Sequence, residues 1–569
     1  MKFPRMYLFL VLFVIILSFK FGQVSTASAS APAPRIINAA SCNASDVQRA
    51  LNQAHEGDTV AIPAGTCTWT GTLTVSTAVN LLGSATGTTE LVDNVDRPHC
   101  SDHPLLFMNI SVNQPWRLAQ LTIQGSAPDP GGCSEHIKAV TNSHAFRIDH
   151  ITFNNMQSTG ILVNGDAWGV IDHSIFNGAH KRGVLIHHTS WGQVGAWGDN
   201  SWSQPDTMGT NQAVFVEDST FNITHASGAG SVACEFGGRC VARYNTLPYL
   251  GTHGNDSGQR MRSIRQFEVY NNIITDYGSP VGQAMQLRGG TSLFFNNTVN
   301  PTTDASYKAL LALEIYREVN SWTPWGPSSN RYKGGCDGTG PFDSNLGTAF
   351  ESGTFGGGAG VQQFLADTTK HWTTNQWIGY SVHNSSANPW GASIQSNTAT
   401  TIIPYPAAMG PAHIWNPGDN YQILRVYPCL DQPGRGMGDY ISGGGYAMPP
   451  TPVGWPHQAM DPVYAWNNRS KQTLTPAIGH YFTHVQANRD YYDWTPDFDG
   501  TSGVGQGLFS ARPATCTPLV GYWATDTNTL YQCSSKNSWT VYYRPYTYPH
   551  PLQGTSAAPP TELKVIGVH

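Results

Sequence analysis

Charged residues recur at a fixed interval between residues 235 and 314, and they are the first candidates for chemistry in this chain. The strand-like strings VACEF, QRMRSI, AMQLR and LLALEI follow one another there. At one shared position they hold Glu235, Arg262, Arg288 and Glu314, which are 27, 26 and 26 residues apart. A period of this length is typical of a solenoid, in which each repeat is one coil stacked on the last. The sequence therefore predicts a column of two carboxylates and two guanidiniums.

Such a column suits an acidic sugar chain. A guanidinium binds a carboxylate through two parallel hydrogen bonds. β-Elimination from a uronate needs that carboxylate neutralised, a base near C5 and an acid at the leaving oxygen. Unpaired charges are costly in a core, so we expect the column to face outward. Arg288 and Glu314 are then substrate-binding candidates, and Glu235 and Arg262 are catalytic candidates. A ladder of ion pairs that only offset one another is the alternative.

A polar, glycine-rich loop between two of these strings supplies further catalytic candidates. The loop LGTHGNDSGQR holds His253, Asp256 and Arg260. A histidine titrates near neutral pH and can act as acid or base, Asp256 can orient it, and Arg260 can bind a substrate carboxylate. A tight turn that satisfies its own backbone groups is the alternative. One coil earlier, the string VLIHH offers His187 or His188 as the next member of the column.

Three tryptophans, Trp191, Trp197 and Trp202, lie in an insertion that follows the VLIHH string. Flat aromatic faces stack on the apolar faces of sugar rings. The tryptophans therefore either wall a carbohydrate cleft or pin the insertion onto the solenoid.

An adjacent acidic pair, Glu217-Asp218, is a candidate Ca²⁺ contact, because carboxylate oxygens are the ligands that this ion prefers. No D-x-D-x-D spacing accompanies the pair. An ordinary solvent-facing pair is therefore the alternative.

Short polar residues recur at a second position of the repeat. Asn245, Asn272 and Asn297 occupy equivalent places in the strings ARYNTL, VYNNII and FNNTV, and Ser174 and Ser219 align with them in earlier coils. Stacked side chains of this kind can form hydrogen bonds from coil to coil. We expect this ladder to be structural.

Composition predicts an exported β-protein. Of the 569 residues only 12% are charged and 11% are aromatic, a profile typical of extracellular all-β proteins. The first 31 residues have the basic start, apolar middle and small-residue end of a secretory signal peptide. Its removal takes three cations from the chain and changes the net charge from −6 to −9. We expect a secreted, extracellular or periplasmic protein that has no nucleic-acid partner and no membrane partner once the signal is cleaved.

Ten cysteines in an exported chain imply disulfides. No C-x-x-C pair favours a metal site. Proximity in the sequence suggests the pairs Cys42–Cys67, Cys100–Cys133, Cys234–Cys240, Cys336–Cys429 and Cys516–Cys533.

The pattern along the chain predicts a capped solenoid followed by β-rich additions. The string DVQRALNQA has helical spacing and suits a helix that covers the open end of the first coil. The strings RIDHITF and VIDHSIF repeat after 23 residues. We divide the chain into 1–31 (signal peptide), 32–92 (N-terminal cap and first coils), 93–320 (parallel β-helix), 321–360 (Gly/Trp-rich loops), 361–427 (β insertion), 428–515 (further coils and loops) and 516–569 (disulfide-tied β-hairpin tail).

The string SDVQRALNQAHEGDTVAIPAGTCTW, followed by the IDH and YNN coils, resembles right-handed parallel β-helix proteins of the pectate-lyase-like superfamily. The resemblance covers about residues 40–320 and, more weakly, 428–515. It implies an all-β, right-handed parallel β-helix with an N-terminal capping helix and β-rich C-terminal insertions. The fold is shared by lyases, hydrolases and non-catalytic surface proteins, so it does not choose among them. The W-I-D-H string of pectate lyases is matched at three of four positions by residues 170–173, but IDH also occurs at 148–150.

The function that these patterns favour is cleavage of an acidic extracellular polysaccharide by β-elimination, with Ca²⁺ as an optional cofactor. A glycoside hydrolase that uses Glu235 or Glu314 together with Asp256 is one alternative, although no adjacent Asp-Asp pair of the polygalacturonase type occurs. A non-catalytic carbohydrate-binding or adhesive surface protein is another.

Overall fold

A computed structural model describes most of the chain from residue 33 onward. The described residues are 33–98, 101–129, 132–178, 182–194, 197–223, 230–252, 262–276, 283–301, 309–314, 349–357, 364–377, 380–386, 390–404, 415–424, 432–438, 458–480 and 485–554. Within these ranges no helix has the length and apolarity needed to cross a membrane.

The described strands form a parallel β-helix, as the sequence predicts. Most coils give one strand to each of three sheets built by parallel pairing. The first sheet contains Ile36–Asn38, Thr59–Ala61, Asn80–Leu82, Trp116–Gly125, Phe146–Met156, Gly169–Asp172, Val214–Glu217, Arg239–Arg243, Gln266–Tyr270, Thr291–Phe295, Val463–Trp466 and Tyr491–Asp493.

The second sheet follows the first after a sharp corner. Two long strands, Trp116–Gly125 and Phe146–Met156, bend through this corner and belong to both sheets. The other strands of the second sheet are Gly65–Trp69, Thr89–Asp93, Ile175–Gly178, Thr220–Ile223, Thr246–Leu247, Ile273–Asp276, Thr298–Pro301 and Arg469–Ser470, with Thr473–Leu474 added antiparallel.

The third sheet closes each coil and carries the candidate site. Its strands are Leu73–Val75, Leu106–Ile110, Glu135–Thr141, Thr159–Asn164, Val184–His187, Val232–Glu235, Leu250–Thr252, Gln283–Leu287, Ala309–Leu313 and Ile478–His480. Alternate residues of these strands point into the coil, where aliphatic and aromatic side chains form a continuous core. Phe176, for example, stacks between Phe153 and Phe221, with ring centroids 4.9 and 4.4 Å away.

A short helix, Ala44–Leu51, covers the first coil, as the helical spacing of DVQRALNQA predicts. Val47 and Leu51 are buried and join the solenoid core, and Ala54 packs against that core. A disulfide between Cys42 and Cys67 ties this cap to the second sheet. The helix therefore gives the core an end that is not an open sheet edge.

The corner between the first and second sheets uses the same backbone conformation in coil after coil. One residue at each turn has a positive φ, which reverses the local twist and admits the bend. These residues are Gln120, His150, His173, Asp218, Tyr244, Asn271, Asn296 and Asn467.

A ladder of buried asparagines follows these corner residues and confirms the structural role expected for it. Asn272 donates from its backbone N–H and its Nδ2 to Oδ1 of Asn297, at 3.1 and 3.0 Å. Its own Oδ1 accepts from the backbone N–H and Nδ2 of Asn245. The ladder begins at the serines, where the backbone N–H of Ser219 donates to Oδ1 of Asn245. It continues to Asn468, whose Oδ1 accepts from the backbone N–H and Nδ2 of Asn297.

The C-terminal segments build outward from this solenoid. Val463–Trp466 pairs with Thr291–Phe295 and so returns the chain to the first sheet. A small sheet of Val504–Gly507, Gly521–Ala524, Thr529–Ser535 and Ser538–Tyr543 then packs its apolar side chains on the outer face of the first sheet. Short 3-10 turns occur at Phe509–Ala511 and Pro551–Gln553.

An antiparallel sheet with its own core lies between two solenoid segments. Its strands are Ala349–Thr354, Leu365–Ala366, Ser381–Asn384, Trp390–Asn397, Thr401–Pro404 and Asn420–Leu424. The core is aromatic and includes Trp372, Trp377 and Trp415. A two-stranded pair, Arg435–Gly436 with Ala459–Met460, precedes the return to the solenoid.

Three of the predicted disulfides are present: Cys42–Cys67, Cys234–Cys240 and Cys516–Cys533. Cys100, Cys336 and Cys429 lie outside the described residues, so the other two pairs stay predictions. Disulfides of this kind are typical of proteins that fold in an oxidising compartment.

We predict that Asn272→Ala lowers the free energy of unfolding by about 3 kcal/mol, because it leaves buried backbone and amide groups of two neighbouring coils without partners. Chemical denaturation measures this change. Asn222→Ala is the matched control: Asn222 is exposed on the second sheet and donates to Asn177, and we expect its loss to cost less than about 0.5 kcal/mol. Equal effects of the two substitutions would contradict a structural role for the ladder.

Candidate functional site

The outer face of the third sheet carries a row of charged side chains at the end of its strands. His187 pairs in register with Glu235. Leu287 pairs with Leu313, so Arg288 and Glu314 follow side by side on neighbouring strands. The preceding residues Ile186, Cys234, Leu287 and Leu313 are buried in the core, and the row therefore faces outward, as predicted. We call His187, Glu235, Arg288 and Glu314 the charged row.

Arg262 does not belong to this row, and its predicted position is wrong. The strand beside Val232–Glu235 is Leu250–Thr252, which pairs in turn with Gln283–Leu287. These two steps are 18 and 35 residues long. Their average is close to the apparent period of 26 residues, and the assumption of even spacing therefore assigned Arg262 to the third sheet. At residue 262 the chain has already left that sheet.

Arg262 instead stands just before the first sheet and is fully buried. Its guanidinium forms an ion pair with Asp199 at 3.3 Å and lies 4.7 Å from the ring centre of Trp202. Both partners belong to the insertion that follows the VLIHH string. Arg262 therefore fastens that insertion.

Glu235 is the centre of the first cluster in the charged row. Its Oε1 accepts from the guanidinium of Arg182 at 3.2 Å, and its Oε2 lies 3.1 Å from Nε2 of His187. The Glu235 side chain is only 6% exposed, whereas that of Arg182 is 25% exposed. The buried Glu235 carboxylate therefore orients the more exposed guanidinium of Arg182 and the imidazole of His187. At the other end of the row, Arg288 pairs with Glu314 at 3.7 Å.

Arg182 and Glu135 are candidate residues that the repeat did not reveal. Glu135 pairs with Thr159 on the next strand, and the residue after Thr159 donates to the carbonyl of Arg182. The two candidates therefore lie two strands apart at the beginning of third-sheet strands, whereas the charged row stands at the end of its strands. Nε of Arg182 and Oε2 of Glu135 are buried and have no hydrogen bond to a residue that the structure describes.

Burial raises the pKa of Glu135 to about 7. The positive charges of Lys138 and Arg182 lower that pKa, and the negative charges of Asp102 and Asp129 raise it. A carboxyl that titrates near neutral pH can give or take a proton under working conditions. A single carboxylate outside the repeat has no periodic signal, although the Lys181-Arg182 pair directly before the VLIHH region could have drawn attention to the arginine.

Two tryptophans of the insertion, Trp191 and Trp202, pack against arginine guanidiniums. Trp202 has no exposed surface, and Trp191 is 8% exposed with the guanidinium of Arg239 lying 4.3 Å from its ring centre. Trp197 is half-buried and meets Phe236 edge-on at 6.3 Å. These contacts favour the alternative in which Trp191 and Trp202 pin the insertion, through the 3-10 turn Trp191–Gln193 and the helix Asp199–Ser203, to the solenoid.

Glu217 and Asp218 are engaged by other protein groups. Glu217 is fully buried, accepts from Nε of Arg243 at 2.6 Å and from the backbone N–H of His550 at 3.0 Å. Asp218 accepts from the hydroxyl of Tyr548 at 2.7 Å. The pair is therefore not an ordinary solvent-facing pair, and its oxygens are committed to Arg243 and the C-terminal segment. Across the described ranges no group of three or more His, Cys, Asp or Glu residues is placed to hold a metal ion.

The two Asp-His strings form a repeated surface feature at the corner of the coils. Asp149 and Asp172 each accept from the imidazole of the following residue, and the rings of His150 and His173 stack with centroids 5.1 Å apart. Because the same arrangement occurs in successive coils, it belongs to the coil pattern. The resemblance of residues 170–173 to the pectate-lyase string therefore does not identify a unique site.

The loop candidates His253, Asp256 and Arg260 lie outside the described residues. They stay predictions.

Comparisons with known proteins add little to this picture. No family model and no characterised protein sequence matches the chain. Two solved structures are similar to it: an alginate lyase from Paenibacillus sp. str. FPU-7, at 13% identity over 49% of this chain and 90% of that one with a TM-score of 0.28, and ORF18 of Geobacillus virus E2, at 12% identity over 89% and 86% with a TM-score of 0.31. Similarity this low carries no argument about function.

We predict that Glu135→Gln flattens the pH dependence of stability. The folded-state pKa of about 7 lies above the ordinary glutamate value of 4.5, so the folded protein binds the extra proton and wild-type stability falls as pH rises between those values. At pH 8 the charged, buried carboxylate costs up to about 3 kcal/mol, a cost that glutamine avoids. Chemical denaturation at pH 5 and pH 8 measures the difference.

The control is Glu56→Gln, which removes one exposed carboxylate from the turn after the capping helix. We expect this variant to keep the wild-type pH dependence. A Glu135→Gln variant that loses stability between pH 5 and pH 8 as steeply as the wild type would refute the raised pKa.

Proposed function

We propose that this protein is exported, binds an acidic polysaccharide along the charged row and cleaves it by β-elimination. One observation carries the proposal: Arg182, whose guanidinium contacts Glu235 of the row, has a buried Nε with no hydrogen-bond partner among the described residues. Buried polar groups are rarely left without partners in folded proteins. A ligand with carboxylate groups would satisfy this nitrogen.

Two arginines of the site would bind uronate carboxylates. Arg182 and Arg288 are each oriented by a glutamate, Glu235 and Glu314 respectively. Neighbouring strands lie about 4.8 Å apart, so the strands of Glu235 and Arg288 are about 10 Å apart. A sugar chain running across the strands would meet a cation at more than one of its units.

Proton transfer at the charged row would fall to His187. In the proposed step a base removes the C5 proton, the electron pair forms the C4–C5 double bond, and the C4–O bond breaks as its oxygen takes a proton from an acid. Arg182 would stabilise the charge that develops on the uronate carboxylate. His187, held by Glu235, is suited to the base, and the acid is a role for His253, the loop candidate outside the described residues.

The spacing of the strands argues against a hydrolase that uses two carboxylates of the row. Glu235 and Glu314 stand on strands three spacings apart, which is about 14 Å. Inverting glycosidases need their carboxyl groups at about 6.5–9.5 Å and retaining ones at about 5 Å. A hydrolase that pairs either residue with Asp256 depends on residues outside those described.

A non-catalytic carbohydrate-binding surface is the second candidate, and one observation favours it. The charges of the row largely pair with one another, in the Arg182–Glu235–His187 cluster and the Arg288–Glu314 pair. Paired charges can present hydrogen-bonding groups to a sugar without any reaction.

Incubation with a panel of uronate polysaccharides, followed by the ultraviolet absorbance of unsaturated products, tests cleavage. We expect absorbance to rise with at least one member of the panel. No rise with any of them, with or without Ca²⁺, would refute the lyase. Retained binding in affinity electrophoresis would then identify the non-catalytic candidate.

Substitutions at the site separate binding from proton transfer. We expect Arg182→Gln to weaken substrate binding by about 10- to 100-fold, because it removes a charge-assisted hydrogen bond, and to raise KM. His187→Gln should lower kcat by about 100-fold or more with little change in KM. Steady-state kinetics on the responsive polysaccharide measure both.

Arg49→Gln is the control, since it removes an exposed cation on the capping helix that pairs only with Asp46 among the described residues. It should leave both constants unchanged. A similar loss in all three variants would show a general charge effect and not a site.

A further inference from the structure

A cavity of about 410 Å³ opens at the corner between the first and second sheets, beneath the C-terminal segment 545–548. This place is distinct from the charged row, which lies on the third sheet. The volume is in the range of small-molecule sites and is large enough for a sugar ring. Its lining combines aromatic rings with asparagine amides.

The aromatic part of the lining is built by two segments that are distant in sequence. Tyr244, at the corner, stacks on Tyr548 of the C-terminal segment with ring centroids 3.7 Å apart. The two side chains stay 38% and 43% exposed. The hydroxyl of Tyr548 donates to Asp218, which holds the pair in position. Exposed aromatic surface that is held rigidly is what stacking against the C–H face of a sugar requires.

The amide part of the lining comes from the corner residues of successive coils. Tyr270 and Phe295 pair in register, so Asn271 and Asn296 follow on neighbouring strands, both with positive φ. Oδ1 of Asn296 accepts from Asn467. The side chains of Asn271 and Asn528 form no hydrogen bond to another residue in the described parts of the chain. An amide offers both a donor and an acceptor, which matches the neighbouring hydroxyls of a sugar.

The cation in the lining is already neutralised. Arg243 donates to Glu217 at 2.6 Å, to the hydroxyl of Tyr270 at 2.9 Å and to the carbonyls of Tyr546 and Thr547 at 2.7 and 2.8 Å. A guanidinium with these partners offers little to a uronate carboxylate. The cavity therefore suits an uncharged sugar better than an acidic one.

We propose that this cavity binds a neutral sugar unit, as a second carbohydrate site separate from the charged row. The site stands on its own aromatic and amide groups and does not depend on cleavage at the third sheet. Tyr244 and Tyr548 supply the stacking surface, and Asn271 and Asn528 supply hydrogen bonds to hydroxyls.

Titration of the full chain with short linear oligosaccharides of glucose, mannose, galactose and xylose, followed by calorimetry, tests the proposal. We expect at least one of these probes to bind, and Asn271→Ala and Asn528→Ala each to weaken its binding by about tenfold, the loss of one hydrogen bond. Both variants should stay folded and lose about 1–2 kcal/mol of stability, because both asparagines have positive φ, which alanine tolerates less well, while their amides bond to no described residue.

Asn222→Ala is the matched control, since Asn222 is an exposed asparagine of the second sheet outside the cavity. It should bind the probe as the wild type does. Arg182→Gln should also keep this binding, which separates the cavity from the proposed acidic-polysaccharide site. Absence of binding by every neutral probe, or binding that neither Asn271→Ala nor Asn528→Ala weakens, would overturn the proposal and leave the cavity as a packing gap under the C-terminal segment.

Discussion

The hydrogen bonds that buried asparagines pass from coil to coil are the constraint on which the rest of the structure depends. The corner between the first and second sheets needs a residue with positive φ, and the backbone groups that follow it turn inward, away from water. The N–H after each corner donates to Oδ1 of the asparagine in the next coil, which is Asn245, Asn272, Asn297 or Asn468. The amide nitrogens of the same asparagines donate to carbonyls that stand two residues before the corner. Because each asparagine also accepts from the coil before it, the ladder ties successive coils together at this corner. The corner cavity lies beside these residues.

Arginines fasten the C-terminal segment to the outer face of this solenoid. Arg147 donates to the carbonyls of Leu552 and Gln553, and Arg243 donates to those of Tyr546 and Thr547. Each arginine is also paired with a carboxylate of the first sheet. A buried charge is tolerable only with such partners. The C-terminal segment thereby covers the part of the first sheet that carries these arginines.

The capping helix, the coils, the asparagine ladder and three disulfides could be predicted because each follows from local spacing or from neighbours one coil away. The charged row was only partly predictable. His187, Glu235, Arg288 and Glu314 occupy equivalent positions on the third sheet, but Arg262 does not, because steps of 18 and 35 residues averaged to the same period. Arg182 and Glu135 carry no periodic signal, and their proximity arises from strand pairing alone.

By itself, the sequence determined that this chain coils into a parallel β-helix and that charge collects on one outward face, because periodicity and the polarity of strand residues are local properties. Only the tertiary structure decided which charges meet. It placed Glu235 between Arg182 and His187, committed Glu217 and Asp218 to the C-terminal segment, and brought Tyr244 against Tyr548 across more than half the chain. These contacts depend on the unequal lengths of the loops and on the packing of the C-terminal segment against the solenoid. Regular spacing in the sequence predicts neither the loop lengths nor this packing.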